Sequence, residues 1–487
     1  MLTAGWRILS GMLQAWLAFG AEKTFLLFAT IGGLCYLSQV SNLTHYPHGQ
    51  QSFFHVAHLV YSLKGQPDTL PESFFTLVYE NAPNRIRIAR HNESKMGNCV
   101  IKYQDTGRCV RNPSAEPVST ERLMRIPLRP DITVPFTTNS HSAQYSPIGY
   151  ATFMLGAGLA IWLEWPPLAI MYAAVASNLL ASIALGYYAL RLLPVLRWPM
   201  CFLMLTPAAF MIRCVIMPDS MLFALSLLAL ALALRLSGQL LPLTVRQRAG
   251  ILGVSVLICV WKTAYVAMPL IFSVIPQRAF GGRTRKIAFL ALVMALCVGS
   301  SLLWGVSVLS DNKIQEDSEM LDMVMQKTGS LFSAQTPGAI YYRLFTGEWL
   351  RYFLGGFFAW MPFWVERWPE IACVMIPLFL LLGLRPPNEP IIRWTLFQRA
   401  LSIGIFIATL ALIFAAIHLL HDNFSWLKNN WKNIQGRHLL PALPFLLAGC
   451  YWGGVRTPET QARWNGVSLS LAVISLLWLN ITHLHYL

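Results

Sequence analysis

Residues 217–236 read MPDSMLFALSLLALALALRL. Past Asp219 no charge appears before Arg235, and the run matches the roughly 20 apolar residues that a helix needs to cross a bilayer. Comparable runs lie near 148–163, 167–190, 198–217, 250–276, 287–309, 349–365, 370–384, 400–420, 439–455 and 466–484, after a first one at 24–40. The chain of 487 residues is 55% hydrophobic and 12% charged, with mean hydropathy +0.50. A soluble chain carries about 25% charged residues. The pattern is that of an all-α polytopic membrane protein.

The net charge of +15 does not point to nucleic acid. Many of the Lys and Arg residues sit in short links between apolar runs, where they orient spans, and no basic helix with interleaved aromatics is present. The 17 Trp and 16 Tyr suit interfacial belts. Most of the nine cysteines lie in apolar runs, as small buried hydrophobes do. Cys99 and Cys109 are the exceptions, and two readings stand for them: a disulfide if their region faces an oxidising compartment, or two free thiols.

Residues 1–40 comprise an interfacial segment at 4–20 and the run at 24–40, which lacks a cleavage site and reads as an anchor. Residues 41–147 form a large polar region, in which 84–112 alternates like strands, so a small α/β lobe is expected there. Residues 148–487 form the multispanning bundle, with further polar loops at 310–348 and 421–438. Placing the basic links inside puts 41–147, Met217–Ser220, Lys262 and both loops on the outer face. That orientation requires 250–276 to dip in and out as two short helices, and 148–163 and 349–365 not to cross.

Arg213, Asp219 and Lys262 stand in otherwise apolar stretches, where a charge costs roughly 2.5–3.5 kcal/mol at mid-membrane. Mutual pairing or snorkelling is one explanation. A pocket for an anionic lipid head group is the other, with Arg213 and Lys262 as phosphate ligands and Asp219 at the mouth of a helix. Gln435-Gly436-Arg437-His438 opens a later apolar helix, where Arg437 is a third phosphate ligand, Gln435 a polar substrate contact, and an interface marker the plainer alternative. Tyr145 and Tyr150 suit either a sugar-stacking surface or an interfacial belt. His45, His48, His55 and His58 crowd the segment after the first run, but their spacing matches no zinc pattern. No metal or other cofactor is expected.

The segments GQQSFFHVAHLVYSLKG, YSPIGY, MPDSMLFALSLLALALALRL, WKTAYVAMPLIF and IQGRHLLPALPFLL, spread over about 45–455, resemble in order a bacterial polytopic family catalogued as a domain of unknown function. That family looks like the lipid-linked-sugar glycosyltransferases of the GT-C class. In size and layout the chain also resembles the prophage-type O-antigen glucosyltransferases. The resemblance implies a GT-C-like helical bundle with a large periplasmic first loop, in a bacterial inner membrane. It further implies a polyprenyl-phosphate sugar donor and a lipopolysaccharide O-antigen, or a related surface polysaccharide, as acceptor.

Such enzymes carry an acidic pair shortly before a His in the first loop; aligned on His55, that pair falls on Gln51 and Ser52. Neither can act as a carboxylate base. The base is then His55, whose free imidazole titrates near 6.5, or Asp219 or another acid (Asp68, Glu72, Glu80 or Asp131). A transporter or flippase of a lipid-linked sugar would use the same cations without a base. A non-catalytic partner in envelope assembly is a third class.

Overall fold

The computed structural model describes residues 15–39, 47–66, 69–81, 120–136, 145–311, 368–384, 394–420, 438–451 and 457–486. In chain order the elements are α1 (Ala21–Ser38), α2 (Pro47–Leu63), β1 (Thr69–Pro71), α3 (Glu72–Asn81), α4 (Thr120–Met124), β2 (Thr133–Pro135) and α5 (Ala151–Trp162). Then come α6 (Pro167–Leu192), α7 (Arg197–Met204), α8 (Pro207–Cys214), α9 (Asp219–Ser237), α10 (Val245–Trp261) and α11 (Arg283–Asp311). The series ends with α12 (Trp368–Leu381), α13 (Leu396–Leu420), α14 (Leu443–Cys450) and α15 (Pro458–Tyr486). Five helices are long and apolar enough to cross a membrane among the described residues: 167–192, 219–237, 283–304, 396–413 and 459–481. Leu302 and Leu303 of α11 are 63% and 75% exposed, an arrangement stable against lipid and costly against water. The expected all-α polytopic membrane fold is what the chain adopts.

The chain divides into two compact units, one of residues 31–182 with 212–221, the other of 1–30, 183–211 and 222–486. In the first, α2 takes up the histidine-rich segment read above as a loop. Pro47 fits a first helical turn, Phe53, Phe54, Val56, Ala57, Val60 and Tyr61 are buried, and the helix stops at Gly65. There φ is +83° and the Gln66 N–H donates to the Tyr61 carbonyl at 3.0 Å, a left-handed cap that glycine adopts without strain. Phe53 meets Phe74 at 5.5 Å between ring centroids, and Phe54 stacks on Phe75 at 5.2 Å. β1 and β2 pair antiparallel, Leu70 opposite Val134. The small sheet is therefore built from 69–71 and 133–135, whereas the alternation at 84–112 and both Cys99 and Cys109 lie outside the described residues.

The segment Pro147–Trp162, a 3₁₀ turn running into α5, is shorter than the ~20 residues a crossing needs, in keeping with the expectation for 148–163. The run 198–217 is not one helix. It splits into the eight-residue α7 and α8, because Pro207 has no N–H to continue a ladder and the chain breaks at Leu205–Thr206.

In the second unit the run 250–276 folds back on itself. Thr244 and Gln247 form a capping box at the start of α10: the Thr244 N–H donates to Gln247 Oε1 at 2.9 Å, and the Gln247 N–H to Thr244 Oγ at 3.2 Å. α10 runs to Trp261 and breaks at Lys262, whose backbone is extended (φ −160°, ψ 115°). The chain returns through 3₁₀ turns at Thr263–Tyr265, Met268–Val274 and Gln277–Phe280, and the Leu243 N–H bonds the Ala279 carbonyl at 2.7 Å, closing the hairpin. The chain reverses at Lys262 as expected, but the two short helices expected there are one α-helical arm and one 3₁₀ arm. Pro269 and Pro276 remove the donors a second α-helix would use. Met268, Pro269, Ile271 and Phe272 are buried, as a non-helical segment at membrane depth must be.

Candidate functional site

The tip of this hairpin carries a polar cluster. In a 3₁₀ turn residues three apart eclipse, so Lys262 and Tyr265 share a face. Lys262 Nζ lies 3.0 Å from Nδ1 of His438, a residue 176 positions away, and 5.7 Å from the centre of the Tyr265 ring. The Tyr265 hydroxyl donates to the His438 backbone carbonyl. Tyr265 is fully buried, while Lys262 and His438 are half-buried and so reachable. Beyond His438 the chain is anchored by Leu439, Leu440, Ala442 and Phe445, all buried.

The distance restricts the charge of the pair. Nδ1 has one lone pair, and a 3.0 Å contact with an amine needs a single proton between the two nitrogens. Two full cations at that separation would repel by about 5 kcal/mol at an effective dielectric of about 20. Lys262 as ammonium and His438 as neutral imidazole, protonated at Nε2, satisfy the geometry. The pair then carries one positive charge, presented beside an aromatic face.

A second cluster lies within the first unit. Arg213 at the end of α8 and Asp219 at the start of α9 flank the break Val215–Pro218, and their relative exposures are 1% and 3%. Asp219 occupies the first turn of α9, where the helix dipole favours an anion. Asn178, fully buried, closes the break: its Nδ2 donates to the Arg213 carbonyl and to Ser220 Oγ, both at 3.0 Å, while its Oδ1 accepts from Thr152 Oγ1 at 2.9 Å. The amide satisfies a carbonyl that the interrupted helix would otherwise leave bare, and it ties α5, α6, α8 and α9 together.

His55 is 5% exposed, its ring is set edge-on to Tyr150 at 5.0 Å, and both of its nitrogens are buried without a hydrogen-bond partner. Burial, then the neighbouring His58, lowers its pKa from 6.5 to about 4. At neutral pH it is an uncharged imidazole with the basicity of a carboxylate. Because the folded value lies below the unfolded one, the unfolded chain takes up this proton first as pH falls. Stability is full above about pH 6.5 and declines toward pH 4, by roughly 3 kcal/mol in all. Melting in detergent at pH 7.5 and 4.5 should show the drop, and His55→Leu should melt higher at pH 7.5 and lose most of it. An undiminished drop in His55→Leu would assign the acid sensitivity elsewhere.

Of the residues marked in the sequence, Arg213 and Asp219 share one break, and His55 and Tyr150 are in contact within the same unit. Tyr150 is fully buried, whereas Tyr145 keeps an exposed part. Lys262 lies in the other unit. Gln435 and Arg437 lie outside the described residues, as do His45 and the side chain of His48; among those described, no three His, Cys, Asp or Glu side chains gather. Sequence reading did not single out Tyr265, Asn178 or the imidazole of His438. Asn178 had a signal, as an amide within the apolar run 167–190; for Tyr265 the signal was its place three residues after Lys262.

Buried charges at a broken helix and a singly charged Lys262–His438 pair at the tip of a folded-back hairpin define a polytopic helical membrane protein organised around polar interruptions. The chain belongs to the family described as Predicted membrane protein (DUF2142), whose model matches residues 84–446. No curated protein and no solved structure matches it.

Proposed function

We propose that this protein is a lipid-linked-sugar glycosyltransferase of GT-C type. It moves a sugar, with glucose the first choice, from a polyprenyl-phosphate donor to O-antigen or a related surface polysaccharide at the periplasmic face of a bacterial inner membrane. The observation that carries the reading is the Lys262–His438 pair, a half-buried positive charge at the tip of a broken hairpin. Sugar transfer leaves a phosphate on which negative charge grows as the bond to the sugar breaks, and a fixed cation in a site of low dielectric stabilises that charge. Arg437, next to His438 in the chain, would add a bidentate donor. Gln435, two residues before Arg437 in the chain, would be a polar contact for the sugar. Arg213, Tyr145 and Tyr150 are candidates for the donor and the sugars on sequence grounds alone and belong to the other unit, where Arg213 and Tyr150 are buried. The acceptor hydroxyl needs a base, a role for which the sequence offers His55 and Asp219, both in that other unit.

One observation favours a second reading. Interrupted helices with buried charges, as at Arg213–Asp219, also build substrate sites in transporters, and a flippase of the same lipid would need no base. Purified protein in nanodiscs, given a polyprenyl-phosphate hexose and an O-polysaccharide, should move the hexose onto the polysaccharide. Flipping of the lipid without transfer, measured in proteoliposomes, would replace the enzyme by the flippase.

A further inference from the structure

A nitrogen–nitrogen contact of 3.0 Å between Lys262 and His438 holds one proton between two basic groups, and therefore has room for a second when an anion arrives. With no anion, protonating His438 sets a proton against the ammonium. With an anion across both nitrogens, each can donate outward and the repulsion is offset. We propose that the Lys262–His438 pair is a proton-linked phosphodiester site, which binds the monoanionic head group of a lipid together with one proton. The choice of a phosphodiester rests on the transferase reading above; the proton linkage rests on the geometry of the pair.

The surroundings of the pair fit this role. Tyr265 touches both members, its ring under Lys262 and its hydroxyl on the His438 carbonyl. That hydroxyl bonds backbone, so it holds residue 438 in place whatever the state of the imidazole. Among the described side chains, the other titratable groups on the elements around the pair have other neighbours or stand at far ends of those elements, and Asp311, at the end of α11, has its side chain outside the described residues. Arg246 and Arg248 lie at the opposite end of α10, while Arg283, Arg285 and Lys286 open α11 near the closed end of the hairpin, Lys286 donating to the Ser273 carbonyl at 2.7 Å. The free thiols of Cys259 on α10 and Cys297 on α11 share a hydrogen bond, and Arg399 of α13 lies by Cys450 of α14. The side chain of His418, also on α13, lies outside the described residues.

The test uses the whole protein in phosphatidylcholine nanodiscs and, as probe, farnesyl methyl phosphate, a phosphodiester whose single charge does not titrate near neutrality. Binding should strengthen about fivefold or more between pH 8 and pH 6, where full linkage to one proton approaches tenfold per pH unit. Calorimetry in two buffers of different ionisation enthalpy should count protons taken up with the probe, and this needs no variant. His438→Gln keeps an acceptor for Lys262 but cannot titrate; its binding should be flat with pH and without proton uptake. Dimethyl phosphate in solution separates the sources: a response to the farnesyl ester alone assigns a lipid head group, and a response to both assigns the phosphodiester itself. Binding in the unaltered protein that is flat with pH overturns the linkage and leaves the transferase reading standing, since sugar movement is scored separately. Absence of binding at every pH, with transfer intact, removes the pair as the phosphate site; absence of both overturns the two readings together.

Discussion

Lys262→Met should reduce sugar transfer by about two to three orders of magnitude, while the protein still inserts, purifies as a single species and melts near the unaltered protein. The estimate follows from the loss of one preorganised charged donor to an oxygen that gains charge in the transition state, worth about 3–4 kcal/mol in enzymes. The fold should survive because the substitution leaves its supports in place. The hairpin is closed at its far end by the Leu243–Ala279 backbone bond, its return arm is buried through Met268, Ile271 and Phe272, and residue 438 is held by the Tyr265 hydroxyl. Methionine keeps the stem that lies along this apolar surface and removes only the ammonium. Arg437→Ala belongs beside it as the neighbouring cation. Transfer rates within threefold of the unaltered protein in both variants would remove the phosphate site from this part of the chain.

What the sequence made legible follows from which forces are local. Apolar runs without charge report membrane helices directly, and 167–192, 219–237, 283–304, 396–413 and 459–481 are where such runs predicted them. The fold-back at 250–276 was also legible, since a lysine in the middle of an apolar run is costly unless the chain turns there. The character of its return arm was less so, because the 3₁₀ turns reflect Pro269, Pro276 and packing that only the folded chain supplies. Residues 47–63 misled in the other direction: His48, His55 and His58 gave the segment a polar look, yet the period of Phe53, Phe54, Ala57, Val60 and Tyr61 is that of a buried helix. The site was half legible. Lys262, Arg213 and Asp219 stand out one by one as charges in apolar surroundings. Their partners do not: His438 meets Lys262 across 176 positions, and Asn178 reaches the Arg213 carbonyl across 35. Contacts at that separation leave no periodic trace in one sequence.

Gly156→Leu should yield little or no folded protein. The cause is a close approach of two helices within the first unit. A Cβ at Gly156 in α5 would stand 2.1 Å from the Ala173 carbonyl oxygen of α6 and 2.7 Å from Ser177 Cβ. A backbone oxygen inside a helix cannot swing aside as a side chain can, so the two axes must part by about an ångström or more. Helices in lipid associate through packing, with no hydrophobic drive between them, and small residues are what let their backbones meet. Overpacking a tight core costs about 1–3 kcal/mol for a methyl or two, and a leucine exceeds that. The separation also loosens the Thr152–Asn178 bond one turn earlier on α5, and with it the amide that closes the Arg213–Asp219 break. Gly158, two residues further along, is the control: a Cβ there meets only Val60 Cγ1 at 3.9 Å. Gly158→Ala should be neutral or raise the melting temperature slightly, as alanine favours a helix by about 0.5–1 kcal/mol over glycine. Gly156→Ala should fall between, folded but melting several degrees lower. Indistinguishable melting of Gly156→Ala and Gly158→Ala would mean that α5 and α6 do not meet through Gly156, and that the Arg213–Asp219 break does not depend on that contact.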